Sequence, residues 1–141
     1  MDKKEIENKV DYYSLLEFRE EMQWRDLDVW KKSHELVLGI YSITSSFPNT
    51  ETYGIISQLR RSSSSVPANI VEGQSRNTTK EYLLFLYNAR GSLEETRYFM
   101  FLSKDLKYLS YEIYLEFEKN CEEISKMLNG LIRSLKKEIN P

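Results

Sequence analysis

The residue types best suited to chemistry in this sequence are a lone histidine, a lone cysteine, two acidic pairs, a run of four serines and a set of arginines interleaved with tyrosines. His34 is helically spaced with Trp30 and Tyr41. No second catalytic group stands at a fixed spacing to it, so a partly buried, hydrogen-bonded structural imidazole fits better than a base or ligand. Cys121 falls on an apolar stripe where a free thiol packs as a small hydrophobe. Lys119 and Lys126 lie within two turns, but neither stands at the helical spacing that would activate it. Glu94–Glu95 and Glu122–Glu123 could face each other across a bundle, as in di-metal carboxylate proteins. Those sites use Glu-x-x-His, and no histidine follows here, so solvated helix faces are expected. The serines at 62–65 lack a catalytic partner and are read instead as small residues that let two helices approach.

The basic residues form the remaining candidate site. Arg60 and Arg61, Arg76 and Lys80, and Arg90 and Arg97 fall in or beside two consecutive helical segments. Tyr82, Tyr87 and Tyr98 are interleaved with them. Cations with aromatic faces can follow a phosphate backbone and stack its bases. Glu72, Glu81, Glu94 and Glu95 are placed to pair with the same cations, so the pattern fits either a nucleic-acid strip or ion pairing within or between subunits. No catalytic residue, cofactor site or metal site is expected.

Four segments of helical periodicity must position these groups. The first spans about 27–46, with Leu27, Trp30, His34, Val37, Tyr41 and Thr44 as its stripe, Leu36, Ile40, Ile43 and Phe47 widening it, and Asp26 or Asp28 as its cap. The second spans about 51–73 on Tyr53, Ile56, Leu59, Ser63, Val66 and Ile70. Pro67 predicts a kink near Ser63–Ser64, and Gly73 a left-handed helix end. Thr78-Thr79-Lys80-Glu81 reads as a capping box opening the third, which runs to about Lys104 with Tyr82, Phe85, Leu86, Ala89, Leu93, Thr96 and Met100 as its buried face. Ser110 caps the fourth, whose stripe is Ile113, Phe117, Cys121, Ile124, Leu128, Leu131 and Leu135. Short loops between long helices predict an all-α, antiparallel up-down-up-down four-helix bundle over 24–141. Residues 1–23 are expected to form a separate N-terminal arm, in which Ile6, Val10, Tyr13 and Glu17 are helically spaced.

Composition agrees. Hydrophobic residues make up 40% and charged residues 30% of the chain, which suits a folded domain and leaves no apolar run of about 20 residues for a membrane span. The N-terminus has no secretory pattern, so a cytoplasmic location is expected. A net charge of −2 argues against indiscriminate nucleic-acid binding. Ten tyrosines, six phenylalanines and two tryptophans exceed what one small bundle core hides. Tyr12, Tyr13, Trp24, Tyr108, Tyr111 and Tyr114 are expected to stay partly exposed, which points to self-association.

Several blocks also resemble a known family. Leu27-Asp28-Val29-Trp30-Lys31-Lys32-Ser33, Gln58-Leu59-Arg60-Arg61, Val66-Pro67-Ala68-Asn69-Ile70-Val71-Glu72-Gly73 and Gly91-Ser92-Leu93-Glu94-Glu95 are similar to the bacterial four-helix bundle family of 23S ribosomal RNA intervening sequences. The resemblance spans about residues 24–137. It implies a ring-like homopentamer without established enzymatic activity, hence a self-assembling scaffold or adaptor. It also implies kinship with accessory proteins of diversity-generating retroelements, which bind RNA or DNA and a reverse transcriptase. This chain is slightly acidic where those proteins are basic.

Overall fold

The structure is a computed structural model that describes residue 2 and residues 24–141; the predicted arm, with Ile6, Val10, Tyr12, Tyr13 and Glu17, lies outside the described residues apart from residue 2. Four long helices follow one another: α1 (Asp28–Thr44), α2 (Ile55–Gln74), α3 (Thr79–Asp105) and α4 (Tyr111–Ile139). Each packs on its neighbours in sequence and α4 closes back on α1, whereas the diagonal pairs α1–α3 and α2–α4 do not meet. Cross-helix contacts run in opposite directions along each pair. Ser62 meets Thr96 and Ser65 meets Ser92; Arg90 meets Asn129 and Arg97 meets Glu118; Lys32 meets Glu123 and Gly39 meets Phe117. The fold is therefore an antiparallel four-helix bundle with up-down-up-down topology, as the short loops predict.

Its core is a continuous column that includes Leu36, Ile40, Leu59, Val66, Ile70, Leu86, Leu93, Met100, Ile124 and Leu128. Fully burying each such side chain contributes roughly 1.5–3 kcal/mol, which makes the stripe the main determinant of how each helix is rotated. The stripes expected on α3 and α4 hold, with Leu83 and Ser103 joining the first and Ile132 buried more fully than Leu131 in the second. On α1 the stripe is displaced. Val29, Ser33, Leu36, Ile40 and Thr44 face the core, while His34 and Tyr41 are exposed and Trp30 is half-buried. The cause lies on the partner helix. A Cβ on Gly39 would stand 3.2 Å from the Phe117 ring, so α1 turns its smallest residue towards α4. Small Ser33 and Thr44 then fill core positions by donating their hydroxyls to the carbonyls of Val29 and Ile40, each at 2.6 Å.

Helix ends show three further departures. The N-cap of α1 is Leu27, which makes no side-chain cap bond, so neither Asp26 nor Asp28 serves as the cap; Asp28 sits in the first turn, where a negative charge suits the helix dipole. The second helix begins at Ile55 rather than near Glu51, because Asn49–Glu51 forms a separate 3-10 turn and the Glu51 carboxylate accepts from the Ile55 N–H at 3.0 Å. Tyr53, expected on the buried stripe, is consequently 96% exposed. Gly73 is not a left-handed terminus. Among the described residues no glycine has positive φ, and α2 continues to Gln74, passing through buried Pro67 without interruption. What requires glycine there is proximity, since a Cβ would lie 2.8 Å from both Tyr82 Cδ2 and Phe85 Cβ.

The caps of α3 and α4 form as the sequence predicts at their first bond. The Glu81 N–H donates to Thr78 Oγ1 at 3.1 Å, and the Ile113 N–H to Ser110 Oγ at 3.2 Å. The reciprocal half of the capping box differs, because the Glu81 carboxylate takes the Thr78 hydroxyl at 3.2 Å. Lys107, in the left-handed region at φ 63°, closes α3. Its N–H returns to the Lys104 carbonyl, and the Tyr108 N–H returns to that of Ser103, which is the Schellman pattern built on a lysine.

Candidate interaction surface

The six basic residues singled out from the sequence do not lie on one strip. Arg60 serves the α1–α2 seam, donating to Thr44 Oγ1 at 3.0 Å and lying 4.6 Å over the Tyr41 ring. Arg61 turns the other way, to Glu95 on α3 and to the Gln58 carboxamide at 2.8 Å. Arg76 pairs with Glu72 at 3.0 Å and covers the Phe85 ring at 4.5 Å. Arg97 is gripped by Glu118 on α4 and by Glu94 at 2.8 Å, and the Glu118 hydrogen bond raises the pKa of its guanidinium still further. Arg90 donates to the Asn129 carboxamide at 3.2 Å rather than to an acid, and Lys80 is exposed. Arg90 and Arg97 do share the α3–α4 seam, as their two-turn spacing implies, whereas Arg60 and Arg61 diverge because adjacent residues on a helix are about 100° apart.

The other candidate groups are absorbed by structure. His34 is exposed and stacks on Trp30 with ring centroids 5.1 Å apart and planes within 7°, which corrects its expected burial. The Cys121 thiol is buried, and burial pushes its pKa up to about 12, with Glu118 adding to the effect; it is protonated and unreactive at neutral pH. The acidic pairs are divided among separate bases, Glu94 with Arg97, Glu95 with Arg61, Glu122 with Lys126 and Glu123 with Lys32. The serine run forms the α2–α3 contact. Thr96 Oγ1 donates to Ser62 Oγ at 2.9 Å, Ser65 and Ser92 share a hydrogen bond of the same length, and Ser64 returns its hydroxyl to the Arg60 carbonyl at 2.7 Å.

Two exposed surfaces remain. At the end where α3 passes into α4, Phe101, Tyr111 and Tyr98 stand out from the bundle around half-buried Tyr114. Phe101 and Tyr114 meet edge to face at 6.0 Å, Tyr111 lies 6.4 Å from Tyr114, and Lys104 Nζ sits 3.9 Å over Phe101. Burial and the neighbouring Glu118 raise the Tyr114 pKa, so the phenol stays neutral well beyond physiological pH. Of the aromatic residues expected at the surface, Tyr111 is exposed and Trp24, Tyr108 and Tyr114 are half-buried. From the sequence Tyr98 is expected only as a stacking face among the arginines, and Phe101 is not expected at all, because both belong to a helix whose core stripe is already complete. The second surface is on α1, where half-buried Trp30, which packs on the core, and exposed His34, Leu38 and Tyr41 recur at four-, four- and three-residue steps. The α1 stripe expected from the sequence includes three of these four residues, so the periodicity was real and only its destination differs.

A solved structure resembles this one closely. A protein of unknown function from the S23 ribosomal protein family of Bacteroides thetaiotaomicron VPI-5482 superposes with a TM-score of 0.67 at 26% identity, covering 74% of this chain and 97% of that one. No curated protein of described function matches. The family model for the 23S rRNA-intervening sequence protein matches residues 25–130, which takes in α1, α2, α3 and most of α4. On that match the chain belongs to the 23S rRNA-intervening sequence protein family.

Proposed function

We propose that this protein is a non-enzymatic, self-assembling helical bundle that acts as a scaffold or adaptor in the cytoplasm. The observation that carries the reading is the exposed aromatic surface at the α3–α4 end, where Tyr98, Phe101 and Tyr111 are left in water by an otherwise well-filled bundle. Aromatic side chains on a surface are costly to solubility and favour association. The outward stripe of α1 lies on a helix that does not meet α3, and so offers a second apolar surface distinct from this patch. Contact between two different faces of successive copies is head-to-tail association, which closes into rings where the rotation permits. That geometry agrees with the pentamer implied by the family resemblance. The absorption of His34, Cys121 and the acidic pairs into stacking, packing and ion pairs supports a non-catalytic role. Among the described residues no helix is long and apolar enough to cross a membrane.

Light scattering on the eluting protein tests the reading. The wild type is expected at several times the 16.8 kDa chain mass. A Phe101→Glu/Tyr111→Glu variant, altered only at exposed positions, is expected to run as a monomer with unchanged helical circular dichroism. A wild type that elutes as a monomer at about 100-fold the concentration of a micromolar dissociation constant would sink the proposal.

A further inference from the structure

The α3–α4 seam is neutralised at one end and left cationic at the other. Near the aromatic surface, Arg97 is matched by Glu94 and Glu118. Towards the N-terminus of α3 the pattern reverses. Arg90 lies 5.2 Å over the Tyr87 ring, and Lys136 Nζ approaches the same ring at 5.6 Å from α4. Arg133 is exposed, four residues beyond Asn129, which Arg90 contacts, and three before Lys136, so all three α4 residues share a face. Lys80 stands two turns before Tyr87 on α3 and is exposed. Among the described residues none of Lys80, Arg90, Arg133 and Lys136 forms an ion pair. The nearby acids are turned elsewhere: Glu138 accepts the Thr79 hydroxyl at 3.3 Å, Glu81 accepts that of Thr78, and Glu94 goes to Arg97.

We infer that this strip binds the phosphate backbone of a single-stranded nucleic acid. Lys80 to Arg90 covers ten residues of α3, about 15 Å along the helix axis, which is the length of roughly four stacked nucleotides. Arg90 and Arg133 supply guanidinium forks that match phosphate oxygens, and Tyr87 holds Arg90 and Lys136 at the seam instead of leaving them to wander in solvent. Beside the strip Leu84 is exposed. Peptide recognition draws specificity from side-chain pockets, whereas phosphate binding requires only ordered positive charge, so the arrangement favours a nucleic-acid strand over an acidic peptide. The inference does not depend on self-assembly.

Fluorescence anisotropy of a labelled oligouridylate of roughly 20 nucleotides, titrated with the full chain from about 50 mM to about 300 mM KCl, tests it. With three to four phosphates engaged, log K should fall against log salt with a slope of about −2 to −3. Arg133→Glu/Lys136→Glu is expected to weaken binding at least tenfold and flatten the slope. Arg61→Glu, which alters a cation already neutralised by Glu95, should leave affinity within about twofold. The milder Arg133→Gln/Lys136→Gln variant should fall between wild type and the double reversal, with circular dichroism confirming that each variant is folded. An oligothymidylate of equal length shows whether RNA or DNA is preferred. No binding at the lowest salt, equal losses in the Arg61 and Arg133/Lys136 variants, or equally tight binding of poly-glutamate would each overturn the inference.

Discussion

The α2–α3 and α1–α4 seams are built on opposite principles. Between α2 and α3 small residues meet in register: Gly73 lies against Tyr82 and Phe85, and the Ser62–Thr96 and Ser65–Ser92 hydrogen bonds, both 2.9 Å, join the helices at their middle. The serine and threonine hydroxyls at this contact find partners on the facing helix or in their own preceding turn, so closeness costs them little desolvation. Between α1 and α4 one close approach, Gly39 against Phe117, borders a cleft of about 170 Å³ over Leu36 and Ile124. Its rim carries long charged side chains, including Glu35, Glu116 and Lys32, the last paired with Glu123 at 2.9 Å and its pKa raised chiefly by that bond. Small residues on both partners bring backbones together. Long ones at the rim leave a gap that an exposed ion pair, worth little on its own, does not close. The α2–α3 contact is thus the tightly packed half of the bundle and the α1–α4 contact the loosely packed half.

The largest expected effect concerns Cys121, a buried thiol of α4 on which the α3–α4 charges Glu118, Arg97 and Glu94 act. If the bundle stays closed over it, the thiol keeps its proton in the folded state up to about pH 12, while the unfolded chain loses it near 9. The unfolded state then binds fewer protons, so stability contributed below pH ~9 is lost as pH rises towards 12, at about 1.4 kcal/mol per pH unit. Urea melts of wild type and Cys121→Ala should diverge across that window with this sign. Parallel curves would mean that water reaches Cys121 in the folded bundle. Next in size is Gly73→Ala. The added methyl meets Phe85 Cβ, which is anchored to its backbone and cannot yield, so overpacking of about 1–3 kcal/mol should outweigh the gain in helix propensity of about 1 kcal/mol. A net loss of up to about 2 kcal/mol is expected from the same melts. Gly39→Ala should have the smallest effect. Its methyl would meet only the far edge of the Phe117 ring beside open space, so the propensity gain should roughly cancel the contact, within about 0.5 kcal/mol of wild type. Equal losses at the two glycines would erase the distinction between the seams.

The reach of the sequence differs element by element. The stripes of α3 and α4 were readable because their apolar residues occupy one face, and the Thr78 and Ser110 caps because capping is a bond within one turn. The stripe of α1 was readable as a period but not as an orientation, since that helix carries a second apolar row through His34 and Leu38. Among the basic residues, Arg76 with Glu72 and Arg97 with Glu94 follow from spacing on one helix. The Arg61–Glu95 and Arg97–Glu118 pairs do not, because each joins residues from separate helices. Arg133 and Lys136 drew no notice as a surface for the same reason: without the packing of α4 on α3, nothing relates them to Arg90 and Tyr87.

By itself, then, the sequence determined the helical class, the number of long helices, their alternating direction and most of their buried faces, all of which follow from periodicity, caps and loop length. Tertiary structure alone decided which apolar row of α1 enters the core, that Gly73 serves a close contact rather than a turn, and which cations keep their charge unmatched. Those outcomes depend on distances of a few ångströms between residues far apart in the chain, and local propensity carries no information about them.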